Sequence, residues 1–182
     1  MIIRSFLTIA ASVALMAGSA VAADLTLPSD AVPVVDNGFD WEGAHLGASV
    51  SGEFALSDGP SYIGGGVFAG YDFLVSENIL LGIGGTVDVR TDGESPYIEA
   101  FILGRAGVLV SPDVLLFANG GVGYGWDFGG EWEESAYQLG AGVEFAVADS
   151  VTLRGTVTGY GGFEGEDLFY YARTTVGLAF HF

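Results

Sequence analysis

From residue 41 onward, apolar residues recur at every second position. They do so in eight runs, about 41–54, 62–75, 79–91, 97–110, 114–127, 136–147, 151–160 and 168–182. A period of two is the mark of strands whose two faces meet different surroundings. In the run 79–91, Ile79, Leu81, Ile83, Val87 and Val89 oppose Gly82, Gly84, Thr86, Asp88 and Arg90. In the run 97–110, Ile98, Ala100, Ile102, Ala106 and Val108 oppose Glu99, Phe101, Leu103, Arg105 and Gly107. The last run sets Leu168, Tyr170, Ala172, Val176, Leu178, Phe180 and Phe182 against Arg173, Thr175, Gly177 and His181. One face carries no charge within its central span, and the other carries Arg90, Arg105, Arg154 and Arg173.

Alternation alone fits either a soluble β-sandwich or a membrane barrel. The connections point to the barrel. Those at 76–78, 111–113 and 148–150 are tight, and those at 55–61, 92–96, 128–135 and 161–167 are longer and polar. Short turns at one end and longer loops at the other are the habit of outer-membrane barrels, with the turns in the periplasm. Every run exceeds the roughly 9–11 tilted residues that a crossing needs.

Three further features favour the membrane. Residues 1–22 read as a secretory signal peptide: Arg4, an apolar stretch from Phe6 to Ala17, and an Ala20-Val21-Ala22 cleavage site. Glycines, 30 of 182 residues, gather on the polar face, where a narrow barrel interior needs small residues beside its long polar ones. The chain ends on Phe182, preceded at two-residue steps by Phe180 and Leu178. This ending looks like the signal read by the barrel assembly machinery. Residues 23–40, with Pro28, Pro33 and four aspartates, read as a flexible acidic periplasmic leader. The fold expected for 41–182 is all-β: an eight-stranded antiparallel up-and-down transmembrane β-barrel in the outer membrane, both termini periplasmic. A secreted soluble barrel is the alternative.

Composition narrows the chemistry. The net charge is −18, from 23 acids against 5 bases, all arginine, while mean hydropathy is +0.47. A chain this acidic offers nucleic acid no basic face. Without cysteine there is no disulfide, thiol nucleophile or thiolate metal site.

Several segments together resemble a known family. They are Trp41-Glu42-Gly43-Ala44-His45-Leu46-Gly47, Gly66-Val67-Phe68-Ala69-Gly70-Tyr71, and Arg105-Ala106-Gly107 with Asn119-Gly120-Gly121-Val122-Gly123-Tyr124. Gly140-Ala141-Gly142-Val143-Glu144 and the closing Val176–Phe182 follow. In order and spacing they resemble the small outer-membrane β-barrel proteins of alphaproteobacteria, the porin family or opacity-type surface antigens. The sequence departs from that pattern at His45, where an aromatic is usual, and at Thr156, in place of a common Glu. The resemblance implies a surface protein of mainly structural or envelope-integrity role, or a small porin or haem-type binding and uptake protein. Its partners would be outer-membrane lipid and lipopolysaccharide. No cofactor is implied.

The inward charges are the candidate site. Counting outward from Asp149, Val147 faces Val151 and Glu144 faces Arg154, which predicts an ion pair within the barrel. Arg105 and Arg173 are expected near the same depth, with Asp72, Asp88, Arg90 and Glu99 also inward. Such a set serves as a salt-bridge plug or as an ion path. His45 and His181 should lie inside near the periplasmic end, as satisfied histidines or as a metal- or pH-sensing pair. Neither stands beside a serine and an acid on the lipid face, so no catalytic set is expected. Outside, Glu131, Glu133 and Glu134 surround Trp132, and Glu164, Glu166 and Asp167 form a second acidic loop. These form a solvated rim or a divalent-cation bridge to lipopolysaccharide phosphates. Trp41, Phe73 and Phe182 at one end, and Tyr124 and Trp126 at the other, are expected to form aromatic girdles.

Overall fold

A computed structural model describes residues 38–94, 96–129, 133–163 and 167–182. The signal peptide, most of the leader, and Glu131, Trp132, Glu164 and Glu166 lie outside the described residues. Eight strands follow one another: β1 Gly43–Ala55, β2 Tyr62–Ser76, β3 Ile79–Thr91, β4 Tyr97–Ser111, β5 Val114–Asp127, β6 Glu133–Ala148, β7 Val151–Gly162 and β8 Tyr171–His181. Each pairs antiparallel with its neighbour, and β8 closes on β1, so the sheet is an eight-stranded barrel. Closure leaves no strand edge, which a chain crossing lipid requires. Along the seam His45 faces His181 and Glu53 faces Arg173.

The alternation sorts as expected. Ile63, Ile83, Ile102, Val122, Leu139 and Leu178 all point outward and are more than half exposed. A continuous apolar belt of this kind is foreign to a soluble surface and proper to one solvated by lipid. Inside, glycine makes room. A Cβ at Gly82 would overlap the Asp72 carboxylate, and one at Gly66 would overlap that of Asp88.

The tight turns depart from simple counting. Register shifts precede all three, between Leu74 and Ser76, Leu109 and Ser111, and Ala146 and Ala148. The residue squeezed out is a valine each time, Val75, Val110 or Val147, and each is 56–57% exposed. Val147 therefore does not face Val151. Ala148 does, because the two-residue turn closes on the nearer pair and the surplus residue becomes a bulge. Beyond the bulge the expected register returns, and Glu144 faces Arg154.

Two aromatic and boundary expectations are corrected. Trp41 is not in a girdle: it is 1% exposed, and its indole N–H donates to the Pro112 carbonyl at 2.8 Å. It packs edge-on against Phe39, 4.8 Å between ring centroids, in an apolar cluster with Leu80, Leu115 and Phe117. The segment before β1 thus folds under the turn end of the barrel, because burying an indole and a phenyl ring there removes more apolar surface from water than a rim position would. The other change is at the loop end, where β6 begins at Glu133, not 136, and β8 at Tyr171, not 168.

Candidate functional site: the charged lumen

Inward parity on neighbouring strands places the charged side chains in two layers. The layer nearer the turns centres on Glu144. Its carboxylate accepts from Arg105 Nη1 at 2.8 Å, from Arg154 Nε and Nη2 at 3.0 and 3.2 Å, and from the Thr152 hydroxyl at 2.5 Å. Arg105 also grips Asp72, with Nε to Oδ1 at 2.7 Å and a second, shorter contact from Nη2 to Oδ2. His45 Nδ1 lies 3.1 Å from Asp72, and His181 Nε2 lies 3.5 Å from Glu144. The two imidazoles stack, 5.4 Å between centroids. The Arg154 guanidinium lies 4.6 Å from the Phe68 ring centroid, a cation–π contact that helps carry a charge out of water.

The layer nearer the loops is held by two arginines. Arg90 Nε donates to Glu99 at 2.8 Å, and its Nη1 donates to the Ser51 hydroxyl at 3.3 Å. Arg173 Nε donates to Glu53 at 2.7 Å, while its Nη1 reaches Glu99 and the Tyr160 hydroxyl. Asp88 lies 3.9 Å from Arg90 Nη2. Arg105 and Arg173 are therefore not at one depth. Arg105 belongs with Arg154, and Arg173 belongs with Arg90, because the tilt and stagger of a closed barrel shift each strand along its neighbours.

A cavity of about 70 Å³ lies between the layers and one of about 40 Å³ lies beside the turn-side layer, both bordered by Phe68, Leu103, Asn119 and Arg154. They suffice for a few waters on polar partners. Above the second layer the barrel opens at its loop end into a cup of about 400 Å³. Tyr170 leans over this cup instead of facing outward. Its hydroxyl donates to Glu134 at 3.2 Å. Burial and the neighbouring carboxylate push its phenol above the ordinary value. Glu133 and Glu134 alternate across the start of β6: the first is exposed and accepts the Tyr124 hydroxyl at 2.5 Å, and the second lines the cup.

Glu53 and Tyr160 complete the second layer and were not among the sequence candidates. Parity would have found both, since Glu53 lies at even steps from His45 and Tyr160 at even steps from Arg154.

The closed barrel, its apolar exterior and its charged interior define a small transmembrane β-barrel of the outer-membrane type. Solved structures share that fold. The N-terminal β-barrel domain of Pseudomonas aeruginosa OprF is 12% identical, with a TM-score of 0.54, over 78% of this chain and 99% of that one. Ail, the attachment invasion locus protein of Yersinia pestis, is 15% identical with a TM-score of 0.54, over 78% of this chain and 99% of its own. Neisserial surface protein A is 12% identical with a TM-score of 0.51, over 76% and 96%. No protein-family model and no curated protein matches the chain by sequence.

Proposed function

We propose that this chain is an outer-membrane protein of a Gram-negative bacterium that serves as a structural, surface-covering barrel and not as an open pore. Its signal peptide delivers it to the periplasm, its termini and tight turns stay there, and its loops face outward. The observation that carries this reading is the double layer of ion pairs across the lumen, sealed below by Trp41 and Phe39. Apart from Asp88, whose arginine is on its own strand, each charge in the layers is met by opposite charge from another strand, the arrangement that keeps buried ions tolerable. Breaking such pairs to pass an ion would cost several kcal/mol at each layer, on the order of 3–5 kcal/mol per pair.

Planar-bilayer recording of the refolded protein tests the proposal. The expected trace is flat, without steady unitary steps; sustained open currents would overturn the plug. Heat-modifiable gel mobility is expected as well, and detergent-free solubility would favour a secreted barrel instead. A second reading, ligand binding at the loop end, is favoured by the cup above the plug. No histidine lines that cup among the described residues, so histidine ligation of haem finds no support there.

A further inference from the structure

The cup at the loop end stands on the upper layer of the plug and adds a wall that the plug does not use. Its wall holds Tyr62, Tyr97, Tyr160, Tyr170 and Tyr171. Four of them form a continuous edge-to-face arc: Tyr62 with Tyr97 at 5.4 Å, Tyr62 with Tyr171 at 5.8 Å, and Tyr170 with Tyr171 at 5.4 Å between centroids. Among the described residues Asp92, Asp127 and Glu134 are interleaved with the rings, and Glu53 and Glu99, paired with Arg90 and Arg173, lie at the floor. The floor already displays what such a wall recognises. The Arg173 guanidinium lies 3.8 Å from the Tyr160 ring centroid and contacts both Glu53 and Glu99. A cation on a tyrosine face, flanked by carboxylates, is the occupant this surface selects.

We propose that the cup binds a soluble organic ammonium ion, a polyamine or a quaternary ammonium, against its tyrosines. Three points set the class. Aromatic faces attract cations, most strongly when water is excluded. A concave wall of one charge sign concentrates counter-ions at its mouth. The volume, about 400 Å³, falls in the range of small-molecule sites, roughly 300–1,000 Å³. A single divalent ion fits less well. It needs several oxygens converging within about 2.3–2.6 Å, and among the described residues no three acids or histidines are gathered closely enough to hold one. The acids come instead from four different strands and, for Asp92, from the loop after β3. Glu53 Oε1 accepts a long bond from Tyr97, 3.5 Å. Binding here needs no passage through the barrel, although the upper layer of the plug forms its floor.

The test is calorimetry on the full mature barrel refolded in octyl glucoside, since choline-headed detergents would compete. Spermidine, choline and calcium chloride are titrated at constant ionic strength into wild type, Tyr62→Leu, Glu134→Gln and Glu77→Gln. Glu77 lies exposed in the tight turn at the opposite end. The expected result is saturable binding of spermidine or choline, weakened at least fivefold by Tyr62→Leu and by Glu134→Gln and unchanged by Glu77→Gln. Absent heats, heats untouched by both cup variants, or calcium heats with the same sensitivity would overturn the proposal. Should Tyr62→Leu fail to refold, the nearly isosteric Glu134→Gln decides alone.

Discussion

Glu144→Leu is the sharpest probe of the plug. This carboxylate is fully buried and accepts from two arginines and a threonine. Removing it leaves Arg154 with no other carboxylate partner in the layer, although Arg105 keeps Asp72. Breaking one side of a buried ion pair costs about 3–5 kcal/mol, because the survivor is an uncompensated charge. The Thr152 hydroxyl loses its acceptor too, about 1–3 kcal/mol, not additive with the first loss. The double variant Glu144→Leu with Arg154→Met removes both charges and leaves Asp72 against Arg105. It should return to within about 1–2 kcal/mol of wild type, since well-packed apolar replacements of buried pairs are often neutral. Urea unfolding in lipid vesicles, followed by tryptophan fluorescence and by gel mobility, reads both. If the double variant is as unstable as the single one, Glu144 and Arg154 are not coupled and the layer is not a charge-paired plug.

Other outcomes follow from the two faces and the two ends. Ile83→Arg sets a guanidinium on the lipid face, where a mid-plane cation costs about 2–4 kcal/mol; Thr86→Arg, pointing inward, should fail only by crowding, and normal insertion of Ile83→Arg would mean that inside and outside are exchanged. Trp41→Ala should cost about 3–5 kcal/mol, as for a buried aromatic cut to alanine, in the same unfolding assay. Phe182→Ala should slow assembly in cells while leaving refolding in vitro unchanged, and equal cellular assembly would remove the terminal aromatic from the signal.

Much of this architecture is legible because a barrel strand is long and its parity strict. Ile83 and Asp88 are outside and inside by counting alone, and the three tight turns fix which strands are neighbours. Legibility fails where parity stops. Tyr170 lies one residue before β8; its backbone still bonds to Tyr160 and Leu56, yet its side chain leaves the outward parity and its hydroxyl follows Glu134. Trp41 precedes β1 and is free to turn under the barrel. Val147 shows that a turn can expel a residue without moving the register behind it. Depth is the other blind spot: strand stagger, invisible in local pattern, separates Arg105 from Arg173. Partners that depend on shear, such as Glu53 with Arg173, need the closed cylinder.

Arginine, not lysine, at positions 105 and 173 has its reason in this geometry. Arg105, on β4, joins Asp72 on β2 to Glu144 on β6. Arg173 joins its register partner Glu53, at the β1–β8 seam, to Glu99 on β4. These two arginines therefore join strands that do not touch through the sheet. A planar fork of five donors can hold two carboxylates in fixed directions; an ammonium is a point charge on a flexible stem. Arg173→Lys keeps the charge and loses the fork. The variant can satisfy Glu53 or Glu99 but not both in their present positions, and it loses guanidinium stacking on Tyr160. Unfolding should become easier by about 1.5–3 kcal/mol, the scale of a lost hydrogen bond to a charged group. Because Arg173 also forms the floor of the cup, the same variant should deepen it and alter spermidine affinity, whereas an Arg105→Lys change in the lower layer should destabilise without touching that affinity. A lysine variant at position 173 that unfolds within about 0.5 kcal/mol of wild type, the scatter of a neutral surface substitution, would show that charge alone sustains the plug and that the arginine fork has no structural part in it.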